Sequence, residues 1–281
     1  MFHRALAIIV SLTISVLGLA SVAGAQDPKK DDKTESPLSL SNMHLEVEAL
    51  DTLHSLKATP EQMMEIQKLA KQTAQPRRKY KDPMVTDNYK QVLEDLHAAL
   101  VLADDDDKID SLSEQYDQLI LSEKPKFDNE YEISEAANKA VPKILREFKS
   151  AQIAELISNK AEEIGDPQDR LIGALAQVRH AKEDEWKSER DDAATQVAFF
   201  TAGLNTDKAK SIREQAVKLL DKARSLSDND FGAQYQELMK QAKAIVGDTD
   251  PIDVLRHTVE YELARLLSNP RLVEVLKARL K

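Results

Sequence analysis

Apolar side chains follow a helical spacing along almost the whole chain after residue 37. An early example is the series Leu45, Leu50, Leu53 and Leu56, whose spacing is typical of one face of a helix. No long stretch alternates apolar and polar residues with the period of two that a half-buried strand shows. The pattern therefore predicts an all-α protein, folded as a multi-helix bundle.

The best defined helix start lies at Thr59. Thr59 is predicted to be the N-cap, Pro60 the first helical residue and Gln62 the third, which together form a capping box. Pro76 is predicted to end this helix, because proline lacks the backbone N–H that the next turn needs. Similar signals place further helices at 86–100, 109–120, 131–164 with a kink at Pro142, 167–202, 206–226, 229–246 and 251–267, and a short last helix after Pro270.

Two segments of the chain resemble each other at a constant offset of 110 residues. Residues 144–159 and 254–269 share six identical positions out of sixteen. If a duplication is the cause, the protein consists of two pseudo-repeated helical halves, 38–165 and 204–281, joined by a long connecting helix at 166–203. The alternative is a chance match between amphipathic helices of similar composition.

The N-terminal segment 1–25 has the pattern of a secretory signal peptide. Arg4 supplies a positive charge, residues 5–19 form an apolar run, and residues 23–25 (Ala-Gly-Ala) supply the small side chains that precede a cleavage point. We therefore expect an exported protein of the periplasm or the extracellular space. Residues 26–37 are predicted to form a disordered polar tether. The alternative is an uncleaved segment that holds the chain to the membrane.

The composition narrows the classes of function. The chain of 281 residues has no cysteine, which excludes disulfides, thiolate metal sites and a cysteine nucleophile. Its 7 glycines leave few positions for loops that cradle a phosphate or expose a nucleophile. The formal net charge of −10 argues against a nucleic acid or an anionic membrane as the partner. We expect no cofactor.

Known catalytic motifs are missing from the sequence. The patterns H-E-x-x-H and G-x-S-x-G do not occur. Among the histidines, His180 has the best spacing for a metal ligand, with Glu183 and Asp184 at positions i+3 and i+4. An ordinary surface pair explains this spacing equally well. We therefore predict a protein without enzymatic activity.

Four consecutive carboxylates form the most conspicuous charge run, at Asp104, Asp105, Asp106 and Asp107. Such a run could hold a hard cation such as calcium. The alternative is a helix N-terminus, where acidic side chains cap free N–H groups and oppose the positive end of the helix dipole.

A basic cluster comprises Arg77, Arg78, Lys79 and Lys81. In an acidic protein, such a cluster could contact an anion or an acidic partner. The alternative is a solvated loop.

Arg146 and Arg256 occupy equivalent positions in the two similar segments, next to apolar residues. They could face each other or bind an anion between the two halves. The alternative is that each pairs with a nearby carboxylate.

The segment Ala58-Thr59-Pro60-Glu61-Gln62 resembles the LTxxQ motif of the Spy/CpxP-like periplasmic proteins. The resemblance is confined to these five residues. It implies an all-helical fold, a hairpin dimer and a concave apolar face that chaperones unfolded or stress-related clients.

These observations favour an exported, non-enzymatic helical protein that binds other macromolecules, in an interaction or chaperone-like role in the cell envelope. Its expected partners are protein clients or envelope components, without nucleic acid and without stable membrane insertion after signal cleavage. A binding module for a small anion or metal ion and a structural helical spacer are the alternatives. An enzyme with a site assembled across helices is the least favoured.

Overall fold

The computed structural model describes residues 38–127, 131–160, 164–183 and 185–281. In these residues the chain forms twelve α-helices and no strand, which confirms the predicted all-α helical bundle. The predicted signal peptide at 1–25 and polar tether at 26–37 lie outside the described residues. The helices are α1 (Leu40–Ser55), α2 (Pro60–Thr73), α3 (Asp87–Leu102), α4 (Asp106–Glu123), α5 (Glu135–Leu145), α6 (Ser150–Asn159), α7 (Pro167–Gln177), α8 (Trp186–Ala202), α9 (Thr206–Ser225), α10 (Asp228–Val246), α11 (Pro251–Ser268) and α12 (Leu272–Arg279).

Helices α2 and α3 begin at the predicted capping residues. Thr59 Oγ1 accepts a hydrogen bond from the backbone N–H of Gln62, and the Gln62 side chain accepts one from the backbone N–H of Thr59. The predicted capping box is thus confirmed. Thr86 caps α3 through the backbone N–H of Tyr89.

The first hydrophobic core is formed by α1–α6 together with α11 and α12. Helix α1 lies at its centre and contacts α3, α6, α11 and α12. Leu50 of α1, Leu93 of α3 and Leu267 of α11 are all inaccessible to solvent. Because α1 is covered on several sides, polar side chains such as Glu46 and Thr52 are buried along it as well.

The second hydrophobic core is formed by α7–α10. Each helix contributes fully buried residues, for example Leu175 of α7, Ala194 of α8, Ala216 of α9 and Leu238 of α10. This four-helix unit buries one face of each helix and leaves the opposite faces of α9 and α10 toward solvent.

The structure corrects the predicted halves at 38–165 and 204–281. Helices α9 and α10 belong to the second core, whereas α11 and α12 return to the first core. Leu263 of α11 and Leu276 of α12 are fully buried there, in helices that contact α1 and α2. Apolar periodicity shows that a helix has a buried face, but it does not show which helix covers that face.

The predicted long connecting helix at 166–203 is also corrected. Helices α7 and α8 are separate, with a short 3-10 turn at Val178–His180 after α7. The Arg224 guanidinium of α9 donates to the carbonyl oxygens of Arg179 and Ala181, at 3.3 and 2.9 Å. Arg224 thus stabilises the turn that separates the two helices, and the charged stretch does not continue as one solvated helix.

In the described residues of the predicted helix at 131–164, the chain forms two separate helices, α5 and α6. The break between α5 and α6 falls at 146–149, whereas Pro142 lies inside α5. In the break, Phe148 is buried in the first core. The carbonyl oxygen of Glu147 accepts a hydrogen bond from the Gln62 side chain at 2.6 Å. Contacts with the core and with α2 therefore replace helical hydrogen bonds here.

The two similar segments have different local structures. Residues 144–159 include the break between α5 and α6, whereas residues 254–268 lie within α11. Asn159 is exposed, but Asn269 is buried and donates to the carbonyl oxygen of Leu45 at 2.8 Å. A duplication stays a prediction.

The two cores meet where α8 packs against α11. Phe199 and Tyr261 form an edge-to-face pair with ring centroids 4.8 Å apart. His257 Nε2 lies 3.3 Å from the Arg256 guanidinium and must accept a hydrogen bond there, because arginine only donates. Its Nδ1–H therefore donates to the carbonyl oxygen of Phe200, at 2.8 Å.

Candidate functional site

The four aspartates of the acidic run lie just before and within the first turn of α4. Asp105 is the N-cap, and its Oδ1 accepts a hydrogen bond from the backbone N–H of Lys108 at 3.0 Å. Asp106 and Asp107 occupy the first turn, where negative charge opposes the helix dipole. The capping interpretation therefore describes this run.

The metal-ligand spacing at His180 does not form a shared site in the described residues. Glu183 pairs with the Arg224 guanidinium at 2.7 Å, and Asp184 lies outside the described residues. Throughout the part of the chain that the structure describes, no group of three or more His, Cys, Asp or Glu side chains is placed to hold a metal ion.

The basic cluster lies in the connection between α2 and α3, residues 75–86, which we call the basic strap. Both ends of the strap are hydrogen-bonded to segments around the first hydrophobic core. Gln75 donates from its backbone N–H to the carbonyl oxygen of Ser268 at 2.9 Å, and from its side chain to that of Glu132 at 3.2 Å. Thr86 donates from its backbone N–H and its hydroxyl to the Glu123 carboxylate, at 2.9 and 2.5 Å.

The middle of the basic strap is fixed as well. Ser41 of α1 donates from its hydroxyl to the carbonyl oxygen of Lys81 at 3.1 Å, and from its backbone N–H to Asp82 Oδ1 at 2.9 Å. Arg77 forms an ion pair with Glu274 of α12. The strap is therefore held in place although it contains neither helix nor strand.

The side chains between these attachments extend into solvent. Arg78, Lys79 and Lys81 are exposed, and Met84 is 100% exposed. In the basic cluster, Arg77 is thus paired with α12. The other three cations lie exposed on a fixed segment, near the exposed side chain of Met84 in the sequence.

Arg146 and Arg256 have different surroundings. Arg146 is the C-cap residue of α5 and is exposed. Arg256 is exposed on α11, with its Nη2 2.9 Å from Asp253 Oδ1 and its Nε 3.8 Å from Glu260 Oε1. Pairing with nearby carboxylates, the alternative noted above, therefore describes Arg256.

A cluster of hydrogen-bonded polar side chains around α1 was not predicted. It consists of His44, Glu48, Tyr89, Tyr116 and Arg265, and we call it the His44 cluster. The Tyr89 hydroxyl donates to the Tyr116 hydroxyl at 3.0 Å, and the Tyr116 oxygen lies 2.6 Å from His44 Nδ1. His44 Nε2 lies 3.5 Å from Glu48 Oε1, which accepts a hydrogen bond from Arg265 at 2.6 Å.

The electrostatics of the His44 cluster give its hydrogen bonds one direction. Burial lowers the pKa of His44, so the imidazole is neutral at neutral pH. Its Nδ1 then accepts from the Tyr116 hydroxyl, and its Nε2–H points to Glu48. Burial raises the pKa of Glu48, but the charge and hydrogen bond of Arg265, together with His44 and Lys160, lower it by more, so the pKa of Glu48 lies below its usual range.

The His44 cluster is better placed for structure than for catalysis. A tyrosine hydroxyl bonded to a histidine can take part in general acid–base chemistry when a substrate reaches its oxygen. Tyr116 is only 5% exposed and Tyr89 is inaccessible, and Phe127 stacks on the His44 ring at 4.2 Å. The bonds instead join α1, α3, α4 and α11. The spacing of His44 and Glu48 was visible in the sequence, but their distant partners were not.

A buried ion pair connects α1 with the residue just before α12. Glu46 Oε1 accepts a hydrogen bond from Arg271 Nε at 2.9 Å, and Glu46 Oε2 lies 2.7 Å from His97 Nε2. Burial raises the pKa of Glu46, but hydrogen bonds from His97 and Arg271 lower it by more, so the carboxylate stays ionised.

An open groove of about 400 Å³ runs between α9 and α10. We call it the α9–α10 groove. It is lined by Gln215, Lys218, Leu219 and Lys222 of α9 and by Gln241, Ala244 and Ile245 of α10. Leu219 is buried in the second core and Ile245 packs against that core, so the floor of the groove is the edge of the core itself.

No family model, curated protein or solved structure matches this chain. The resemblance to the Spy/CpxP-like proteins therefore stays a prediction. None of the helices in the described residues is long and apolar enough to cross a membrane.

Proposed function

We propose that this chain is an exported, non-enzymatic helical protein that binds other macromolecules in the cell envelope. The observation that carries the proposal is the basic strap, a fixed segment that presents Arg78, Lys79, Lys81 and Met84 to solvent. The expected partner is a protein or another envelope component with an acidic surface.

A fixed strap favours binding because its conformation is already ordered before a partner arrives. A flexible loop would lose conformational entropy on binding, and that loss would weaken the complex. The hydrogen bonds of Gln75, Ser41 and Thr86 order the strap in advance and so reduce this cost. Positive charge on an otherwise acidic chain also steers acidic surfaces to this position.

Met84 adds an apolar contact to the charged one. Its side chain is fully exposed, and methionine adapts its shape to different apolar surfaces. The combination of cations and one flexible apolar side chain suits a protein partner better than a small anion.

Export is supported by the sequence of the first 25 residues. Arg4, the apolar run at 5–19 and the small residues at 23–25 are typical of a signal peptide that is cleaved after Ala25.

Site-specific crosslinking in the cell envelope tests the proposal. A photoreactive residue at position 84 or 79 is expected to capture partners, and a triple reversal, Arg78→Glu with Lys79→Glu and Lys81→Glu, is expected to abolish the capture. Reversal of three exposed lysines elsewhere, Lys210, Lys240 and Lys243, is the matched control and should leave the capture unchanged. The proposal is wrong if neither position captures a partner and the purified chain also fails to slow the aggregation of unfolded clients.

A further inference from the structure

The middle of the basic strap holds two consecutive cations that reach solvent. Arg78 and Lys79 are both exposed, in a segment that contains neither helix nor strand. An endoprotease binds its substrate as an extended stretch, so a helix must unfold locally before it is cut. A connection such as the strap has no helix to unfold, and exposed connections are for this reason preferred positions of proteolytic cleavage.

The attachments of the strap favour one peptide bond within it. The Arg77 guanidinium is already paired with a carboxylate of α12. The carbonyl oxygen of Lys81 accepts a serine hydroxyl of α1 at 3.1 Å, and a protease would need that oxygen in its own oxyanion hole. The bond between Lys79 and Tyr80 is less open, because Tyr80 is half-buried. The bond between Arg78 and Lys79 has an exposed side chain on either side.

The helices on the two sides of this bond share the first hydrophobic core. Helices α1 and α2 precede the bond and contact α3, α5, α6, α11 and α12, which follow it. Buried hydrogen bonds cross the same boundary. Asn269 Nδ2 donates to the carbonyl oxygen of Leu45 at 2.8 Å, and Thr73 Oγ1 donates to that of Leu267 at 2.7 Å. Packing and hydrogen bonds outside the strap therefore hold α1 and α2 to the rest of the chain.

The attachments of the strap also hold the two chain ends that a cut would create. Gln75, three residues before the new carboxyl end, donates from its backbone N–H to the carbonyl oxygen of Ser268 at 2.9 Å. Lys81, two residues after the new amino end, accepts from the Ser41 hydroxyl. Each end is thus tied to a helix or segment that belongs to the other piece.

We propose that the basic strap is a cleavage site for an endoprotease selective for Arg and Lys, and that the cut chain remains one folded body. Water is added across the peptide bond, which leaves a carboxylate on Arg78 and an amine on Lys79. The proposal does not rest on the proposed function, because it requires only an exposed bond and a core shared by both sides. Trypsin, whose specificity pocket carries an aspartate, is the probe.

Brief digestion of the purified protein without denaturant tests the position of the site. Intact-mass spectrometry is expected to show pieces that end at Arg78 and begin at Lys79. Lys29, Lys30 and Lys33 precede the described residues, and cuts there only shorten the first piece. The proposal is overturned if the first cut after residue 37 falls at any other bond.

Paired variants distinguish the strap from other cations between helices. Arg78→Gln with Lys79→Gln is expected to slow the first cut after residue 37 about tenfold or more, because the cations that remain in the strap are next to its attachments. Arg146→Gln with Lys149→Gln is the matched control and should leave the rate unchanged. These two cations are also exposed, in the break between α5 and α6. An unchanged rate in the strap variant would contradict the chosen bond.

Size-exclusion chromatography of the cut protein tests whether it stays folded. The two pieces are expected to elute together at the position of the uncut chain, with unchanged far-UV circular dichroism, and to separate only in denaturant. Pieces that separate in buffer would overturn the proposal. Trypsin that is inhibited by the chain without cutting it would also overturn the proposal, because the strap would then be an inhibitory loop. Neither result bears on the capture of envelope partners, which the strap reversal tests separately.

Discussion

Gln62 and Gln152 form two hydrogen bonds with each other through their side-chain amides. Gln62 Nε2 donates to Gln152 Oε1 at 3.0 Å, and Gln152 Nε2 donates to Gln62 Oε1 at 2.9 Å. Each glutamine is the third residue of its helix, and each also accepts a hydrogen bond from a backbone N–H at its own helix start. The two amides therefore cap α2 and α6 and join them.

We expect Gln62→Ala to lower the free energy of unfolding by about 1–3 kcal/mol, because it leaves several partly buried partners without a hydrogen bond. Denaturant unfolding measures this loss. Gln152→Ala should cost a similar amount, and the double variant should cost less than the sum, because the two residues share their bonds. Gln236→Ala, at an exposed position of α10, is the control and should change stability by less than about 0.5 kcal/mol. Additive costs would contradict the joint role.

Gly203 lies at the end of α8 with a φ of 54°, in the left-handed region. A Cβ at this position would overlap the His257 ring and lie 2.7 Å from Glu260 Oε2. We expect Gly203→Ala to destabilise the protein by about 2 kcal/mol or more, from backbone strain and this clash.

The matched control for Gly203 is Gly232, inside α10. A Cβ there meets nothing within 4 Å. Gly232→Ala should therefore stabilise the protein by about 0.5–1 kcal/mol, because alanine loses less conformational entropy in a helix. Thermal unfolding compares the two variants, and equal melting temperatures would show that the seam between the cores tolerates a side chain.

The raised pKa of Asp192 on α8 predicts that the folded protein gains stability as the pH is lowered. Burial raises its pKa to about 6, and the charges of Asp191 and Glu189 add to the shift. Between about pH 4 and pH 6 the folded protein keeps a proton that the unfolded chain has released, so stability falls as pH rises through this window.

The variant Asp192→Asn removes this pH dependence. It should raise the free energy of unfolding at pH 7 by about 1 kcal/mol, after allowance for partial solvent screening, and change it little at pH 4. Denaturant unfolding at several pH values measures both effects. Glu214→Gln, exposed on α9, is the control. A destabilised Asp192→Asn variant would contradict the prediction.

The contribution of Glu46 to the free energy of unfolding has the opposite pH dependence. Its pKa in the folded protein lies below the usual range because His97 and Arg271 bind the carboxylate. The stabilisation is present above the pKa of the unfolded chain and is lost as pH falls through the folded pKa. Glu46→Gln should cost about 2–3 kcal/mol at pH 7, because Arg271 loses its buried counter-charge.

The cost of Glu46→Gln should shrink as the pH falls through the lowered folded pKa of Glu46, because the native carboxyl then becomes protonated and uncharged as well. Urea unfolding at pH 7 and pH 3 tests this, with Glu94→Gln, exposed on the neighbouring α3, as the control. A cost that is equal at both pH values would assign the effect to packing instead of charge.

Local features of the sequence determined the helical class and several helix starts. The bonds of a cap join residues two or three positions apart, as at Thr59 with Gln62 and at Thr86 with Tyr89. The sequence alone therefore contains both partners. The same holds for Asp105, which caps α4 as one of the two interpretations predicted. The basic cluster was visible too, but its attachment to α1 and α12 was not.

Only the tertiary structure decided where helices break and which helices share a core. A break such as 146–149 is stabilised by Gln62, and the turn after α7 by Arg224. These partners lie 85 and 43 residues away, and the local sequence would favour a continued helix. The packing of α11 and α12 against α1 likewise depends on residues that lie far apart in the sequence. So does the hydrogen bond from Arg265 to Glu48. Periodicity gives each helix a buried face, whereas the partner of that face depends on packing between distant segments.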